Sequence, residues 1–547
     1  MKSSSSIFSA MLIEILLGLL LLLGAVYYKL SRKKSYWSDQ NVPNTGFKFF
    51  FGDDKFFFTQ NESIHNWALR VYKQFGDVSF FGGWTMLGRP FLMIRNEFDL
   101  IKSIWIKDFD HFATADSSVE LSVSIWPATR QERMSIHNVQ TATGDEWKDI
   151  RSTFSPIFTS GKLRNMTPLL QAINRKMNVY VSKLAEATTV FETKEITGKF
   201  SIDGLASCVF GVDSGSFDGD NSEFLYHGKK VFATDGIIFK LMLCVFTPNL
   251  LKKVVSKLGF TNVLSHPLSN PHSKFLIEVV EQSFKQRKSS QFKRNDLIDM
   301  MIEAVDGTID GEEENVLHSK DPQKADAGMD GNKSKKVLNY DDAIATALLM
   351  LSAGYETTGQ TMGYILYELA MNQECQESLY EEIMDAVDDV DDLTYEMIQS
   401  LPYIDAVIHE TMRKHPIFAW LERVCTKEYK LPGHELIIPK GGLVRANSVG
   451  ICYDPEIFPN PNDFIPERFL KENRGERNPY SFMGFSLGPR NCLAMRFAMF
   501  EMKMCISSLV SKFRFLPSER TVKEVEWDPA SFFGGAKGGL WITCENR

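Results

Sequence analysis

Phe485-Ser486-Leu487-Gly488-Pro489-Arg490-Asn491-Cys492-Leu493-Ala494 is the stretch on which the reading of this chain turns. It is a Gly/Pro-rich turn that hands one cysteine to the start of a helix, because the residues from Leu493 run helically through Met495, Phe497, Met499 and Met502. A thiol in that place meets unpaired backbone N–H groups and the positive end of a helix dipole, which favours the thiolate. Gly488 and Pro489 permit a close approach, and Arg490 adds a cation two residues before the sulfur. The parts suit one thiolate bound to a metal, with backbone N–H groups moderating its charge. A buried structural cysteine in a turn fits the same residues.

The composition, 44% hydrophobic and 24% charged with 41 Phe, is that of a globular protein with a large core or an apolar pocket. A net charge of −8 argues against a nucleic-acid partner. The eight cysteines contain no C-x-x-C pair, so neither a zinc cluster nor a disulfide framework is expected and a reducing compartment follows. Residues 7–28 form an apolar run broken only by Glu14. As a helix it spans roughly 33 Å, enough for a bilayer core. Lys29, Arg32, Lys33 and Lys34 follow it, against Lys2 before it, which leaves the body of the protein in the cytoplasm.

Residues 29–46, ending in Pro43 and the Asn44-Thr45-Gly46 turn, read as a linker to a body at 47–547. Val78–Phe81 and Phe91–Arg95 alternate as strands. Trp147 and Arg151 lie four apart on one helical face, where indole and guanidinium suit a planar anion; an amphipathic helix with a core Trp gives the same spacing. Residues 237–254 combine an apolar stretch with Lys240, Lys252 and Lys253, as a membrane-touching lid or an ordinary buried helix would. Residues 306–336 hold no aromatic residue and include Glu312-Glu313-Glu314, the signature of a flexible acidic loop.

A long helix is expected from Asn339 to Asn372. Within it, Ala353 and Gly354 remove bulk so that something flat can approach, the Thr357 hydroxyl can bond the carbonyl of residue 353, and Glu356 can relay protons. A packing notch accounts for the same small residues. Glu410 and Arg413 share a helix face, and Pro466-Glu467-Arg468-Phe469 offers a second arginine. Leu421-Glu422-Arg423-Val424-Cys425 opens a strand-rich section, and the glycine pairs at 534–535 and 538–539 suggest a terminal hairpin.

In this order, W-x-x-x-R, A-G-x-E-T-T, E-x-x-R, P-E-R-F and the cysteine loop resemble the cytochrome P-450 superfamily. The loop follows its pattern Phe-x-x-Gly-x-Arg-x-Cys-x-Gly through Phe485, Gly488, Arg490 and Cys492. Ala494 replaces the final Gly, and Ser486 stands where a second Gly is frequent. The resemblance covers the chain from about residue 40 onward. It implies one mainly α domain with a small β-rich lobe, preceded by the transmembrane helix, in place of the about three or four domains that length alone suggests.

The resemblance also implies roles. Cys492 is the axial ligand of haem b, whose propionates Trp147, Arg151, Arg423 and Arg490 neutralise. Ala353 and Gly354 form the oxygen groove, Thr357 and Glu356 steer protons, and Glu410, Arg413 and Arg468 make a structural ionic triad. Leu349, Ser352, Ile417, Phe418 and Ala419 line the substrate pocket with Ala353, and Phe418 and Trp420 narrow it. Cys452 takes the place of a usual His beside the pocket.

The implied enzyme is a monooxygenase of the endoplasmic reticulum membrane with its catalytic domain in the cytoplasm. It inserts one oxygen atom of O2 into a small lipophilic substrate: a xenobiotic, a steroid or a fatty-acid-like lipid. Electrons come from NADPH through NADPH-cytochrome P-450 reductase, with cytochrome b5 as a second donor, and Lys148, Lys162 and Arg164 are the docking cations. Two other readings stay open: a haem-thiolate isomerase or dehydratase acting on a peroxide without reductase, and a non-enzymatic haem sensor.

Overall fold

The computed structural model describes residue 24 and residues 27–113, 130, 134, 137–219, 222–231, 271–290, 293–294, 296–307, 338–473, 475 and 477–547. Its principal helices are α1 (Ile64–Gln74), α2 (Gly144–Phe154), α3 (Ser160–Glu186), α4 (Thr193–Leu205), α5 (Glu223–Val231), α6 (Pro271–Ser289), α7 (Leu297–Asp306), α8 (Tyr340–Met371), α9 (Gln373–Ala386), α10 (Pro402–Lys414) and α11 (Met495–Lys512). The strands are β1 (Phe80–Trp84), β2 (Pro90–Ile94), β3 (Phe191–Glu192), β4 (Leu421–Val424), β5 (Tyr429–Lys430), β6 (Ile437–Ile438), β7 (Leu443–Ala446), β8 (Phe513–Pro517) and β9 (Trp541–Asn546).

The axis of the molecule is α8, the long helix expected from 339 to 372. Its cap is Asn339, whose side chain accepts from the Asp341 N–H at 3.0 Å. Helix α4 lies against it with almost no side chain between: a Cβ built on Gly359 would stand 3.3 Å from the Gly198 Cα. Thr197 Oγ1 closes the contact by donating to the Gly359 carbonyl at 2.7 Å. Helices α3, α10 and α11 share one apolar cluster with this pair, running from Trp37 to Cys544. Two smaller clusters lie beside it among the described residues, one under the four-stranded sheet and one around Tyr364, Tyr367 and Leu540.

The β-rich part sits to one side. Its four-stranded sheet has the order β1-β2-β7-β4, with β2 and β7 parallel and the other pairs antiparallel. Phe81 pairs with Met93 across β1 and β2, close to the strands expected from alternation. Strands β3, β9 and β8 form a second sheet, so β9 returns to β8 after the long excursion 518–540. The expected terminal hairpin is therefore wider than its glycine pairs suggest, and because Trp527 bridges Ala536 its turn is residues 528–535.

Within the expected 29–46 linker, Trp37 is buried and donates from Nε1 to the Gly83 carbonyl at 2.9 Å. The indole lies where a Gly82 side chain would be, and backbone bonds from Gly82 to Pro43 and from Thr45 to Gly82 fasten the segment. The helix after the cysteine starts at Met495, not Leu493. Of the expected 7–28 anchor, only residues 24, 27 and 28 are described; among the described residues no helix is long and apolar enough to cross a membrane. The 237–254 lid lies outside the described residues, as does the acidic loop apart from its first two residues, Asp306 and Gly307.

Candidate functional site: a cysteine loop and a groove helix

The loop that carries Cys492 is shaped by two left-handed residues. Gly488 has φ +70°, and a Cβ there would lie 1.9 Å from the Trp105 carbonyl oxygen, so only glycine fits. Ser486 has φ +64°, a conformation that costs a non-glycine residue about 1–2 kcal/mol. The Cys492 N–H then closes the loop by donating to the Phe485 carbonyl at 2.9 Å.

Three arginines surround this loop, and each does something different. Arg151 on α2 donates to the Asn491 carbonyl at 2.7 Å and to Asn491 Oδ1 at 2.6 Å, so its fork holds the residue next to the cysteine. Arg490 stacks on Trp147, 4.4 Å from the ring centroid, and donates to the Gln140 and Ala142 carbonyls. Trp147 and Arg490 thus tie the loop to α2. Arg423 on β4 is buried, and burial pushes its guanidinium down to about 9.

Arg423 has long 3.4 Å contacts to Ser486 Oγ and the Leu487 carbonyl, while its Nε has no acceptor. The guanidinium lies 5.4 Å from the Trp105 ring, whose buried Nε1 also has no acceptor. Two buried donors without acceptors, one of them cationic, fit an anionic group such as a haem propionate.

Cys492 is exposed although the Gly488–Arg490 turn behind it is buried. Protein atoms crowd around the open sulfur and desolvate it, which pushes its thiol up, and the Ala494 N–H and the Arg151 charge only partly oppose that. The expected thiolate preference at a helix start is therefore reversed in the protein alone. The sulfur precedes α11 by three residues, and desolvation outweighs the dipole. Cationic iron would deprotonate such a thiol on binding, so the donor set fits a haem iron.

On α8, Ala353 is exposed in a helix otherwise largely buried. Thr357 Oγ1 donates to the Ala353 carbonyl at 2.7 Å, the bond expected from the sequence. Gly354 faces α4, where a Cβ would come within 2.9 Å of Leu205, so its missing side chain serves helix packing. Glu356 is paired with Lys194 of α4 at 2.5 Å. No signal in the sequence joins these two, which stand far apart in the chain. Asn491 and Trp105 were missed for a related reason: each is an ordinary residue until the loop folds around it.

The ionic triad is assembled. Glu410 and Arg413 are fully buried and joined by bonds of 2.8 Å from Nε and from Nη2; Arg468 Nε reaches Glu410 at 3.3 Å. Arg413 also donates to the Cys452, Pro461 and Asp463 carbonyls. Cys452 is buried with its thiol pushed up to about 12, so it acts as a small apolar residue. Among the pocket candidates, Ile417 and Ala419 are buried and Leu349 and Ser352 partly buried. Phe418 is exposed and meets Phe533 at 5.7 Å and Phe532 at 6.3 Å between centroids. Trp420 packs on Trp67 and under Arg445. Two of the docking cations have partners: Arg164 pairs with Glu396 and Lys148 with Asp145.

A cysteine loop gripped by arginines, in one chain with a long helix that exposes Ala353 amid small residues, is the frame of a haem-thiolate protein. The cytochrome P450 family model matches residues 48–536. Cytochrome P450 6B7 of Helicoverpa armigera is 31% identical over 96% of this chain and 97% of its own length. The probable cytochrome P450 6w1 of Drosophila melanogaster is 31% identical over 85% of this chain and 84% of its own. Cytochrome P450 6k1 of Blattella germanica is 29% identical over 97% and 96%. The chain belongs to the cytochrome P450 family. Membership makes it a haem-thiolate monooxygenase.

Proposed function

We propose that the protein oxygenates a small lipophilic molecule, using electrons passed from NADPH by a flavoprotein reductase. The observation that carries this reading is the aromatic group of Phe418, Phe532 and Phe533, in which Phe418 follows the buried Ile417 in the chain, together with the partly buried Leu349 one helical turn before the exposed Ala353 on α8. Apolar walls with few polar groups select by burial of apolar area, and three rings favour a flat or aromatic ligand. Xenobiotics, steroids and fatty-acid-like lipids are the classes that fit. Residues 7–28, with the cations that follow them, are proposed to hold the enzyme on the endoplasmic reticulum membrane.

Haem, when bound, supplies the oxygen activation and the one-electron chemistry. The chain's own residues hold it and manage protons. Cys492 would ligate its iron and Arg423 would pair with a propionate, while Arg151, Arg490 and Trp147 keep the loop in shape. Gly354 lets α4 and α8 close up, which fixes the height of Ala353. Thr357 and Glu356 hold and move protons at the groove, with Thr357 Oγ1 oriented by the Ala353 carbonyl.

The test is the full chain reconstituted with reductase and NADPH against a panel of lipophilic compounds. Displacement spectra of the ferric protein should identify ligands, and those ligands should be oxygenated. Thr357→Ala should divert electrons from product to peroxide. A Thr357→Ala protein with unchanged product yield and no need for reductase would be a peroxide isomerase instead.

A further inference from the structure

His137, Glu146 and Asp342 come from three separate parts of the chain, and their ligand atoms lie within 4.8 Å of one another. His137 precedes α2, Glu146 stands in the first turn of α2, and Asp342 stands in the first turn of α8. His137 Nδ1 is 2.8 Å from Glu146 Oε1. Asp342 accepts no hydrogen bond and pairs with no lysine or arginine among the described residues. Arg130, the cation at neighbouring Asp341, is held by Asp341 at 2.5 Å and by Glu281 at 2.7 Å. Desolvation raises the Asp342 carboxyl, the His137 ring opposes the rise, and the Glu146 and Asp341 charges add to it. Two carboxylates therefore share one imidazole, and a bound cation would remove the repulsion between them.

We propose that His137, Glu146 and Asp342 bind a divalent transition-metal ion of the zinc type, which braces the segment before α2 against the start of α8. The imidazole separates this group from a patch of acidic side chains, because it favours zinc over magnesium or calcium. Bonds of about 2.0–2.2 Å to nitrogen and oxygen place neighbouring donors about 3.4 Å apart in a tetrahedral site. Donor atoms already within 4.8 Å reach that spacing by side-chain rotation. The ion takes the place of the proton between Nδ1 and Glu146, and that proton goes to water. Glu146 is exposed, so a water can fill the fourth position. The braced segment is also the one that the cysteine loop holds. Asn138 is buried and its Oδ1 accepts from the Gln140 and Thr141 N–H groups, while Arg490 donates to the Gln140 and Ala142 carbonyls. Bound metal therefore slows haem loss, a consequence that rests on the reading of Cys492 as the iron ligand.

The experiment compares the wild type with His137→Ala, Glu146→Gln and Asp342→Asn, each as the full haem-loaded chain stripped of loose metal with a chelator. Three quantities are read: Zn2+ bound at equilibrium dialysis, amide hydrogen exchange of residues 137–149, and the rate of haem transfer to apomyoglobin. The wild type should take up a single tight Zn2+ per chain that excess Mg2+ does not displace. Each substitution should weaken that binding by about 100-fold, since losing even a group that only supports a ligand costs about 10–100-fold. Zn2+ should slow exchange in 137–149 and slow haem transfer in the wild type, and do neither in the variants. Carbonyl difference spectra without zinc show that the variants are folded.

Equal Zn2+ binding in all four proteins would mean an adventitious ion only and overturn the site. Displacement by Mg2+ would overturn the imidazole as a ligand, and with it the proposal. Tight binding without slower exchange in 137–149 would overturn the brace. Slower exchange with unchanged haem transfer would overturn the link to the cysteine loop and leave the metal site standing.

Discussion

Arg151 spans Asn491 with both arms of its guanidinium, 2.7 Å to the backbone carbonyl and 2.6 Å to Oδ1. The residue it grips is the one before Cys492, so the charge on α2 sets the pitch of the cysteine loop. A lysine keeps the charge and loses the planar fork. Arg151→Lys should weaken haem retention by about tenfold, near the lower end of what a hydrogen bond to a charged group contributes. The measure is carbonyl-complex absorbance per mole of protein, with helix content unchanged.

The triad predicts graded losses. Removing Glu410 leaves Arg413 buried without its countercharge, and Glu410→Ala should cost about 3–5 kcal/mol and lower the yield of soluble holoprotein. Arg468 makes one 3.3 Å bond to Glu410 and one to the Asn460 carbonyl. Arg468→Ala should cost less, about 1–3 kcal/mol. Chemical unfolding of the two variants checks the order; equal losses would contradict it.

His65 gives the fold an acid limit. Burial lowers its imidazole to about 4, against which hydrogen bonds to the Pro416 and Ile417 backbone work only partly. The unfolded chain takes up this proton near pH 6.5 and the folded one near 4, so stability is full above 6.5 and falls as pH drops through that window. The shift corresponds to about 3 kcal/mol by pH 4. His65→Gln should remove this part of the slope. Denaturant midpoints at pH 7.5 and pH 5, compared between variant and wild type, measure it.

Gly488 admits no side chain, because a Cβ would overlap the Trp105 carbonyl. Gly488→Ala should leave the helical body folded yet prevent haem incorporation. Circular dichroism and the carbonyl difference spectrum, taken together, separate those outcomes. An alanine variant with a normal carbonyl band would mean that the loop can relax.

The sequence by itself determined the class. A-G-x-E-T-T, E-x-x-R and the cysteine loop are local patterns, and local patterns encode chemistry wherever a few adjacent residues supply it. The span of the long helix was legible for the same reason, through Asn339 as its cap and an uninterrupted helical run.

Only the tertiary structure decided what those residues touch. Arg151, expected beside a propionate, also holds Asn491; Gly354, expected in the groove, faces Leu205; and Trp37, within the expected 29–46 linker, is buried and bonded to Gly83. The reversal at Cys492 has the same origin. A helix dipole can be read from sequence, whereas desolvation is a property of everything packed around the sulfur. Lys194 and Glu356, 162 residues apart, meet because glycines let α4 and α8 touch backbone to backbone, a contact that no local pattern announces.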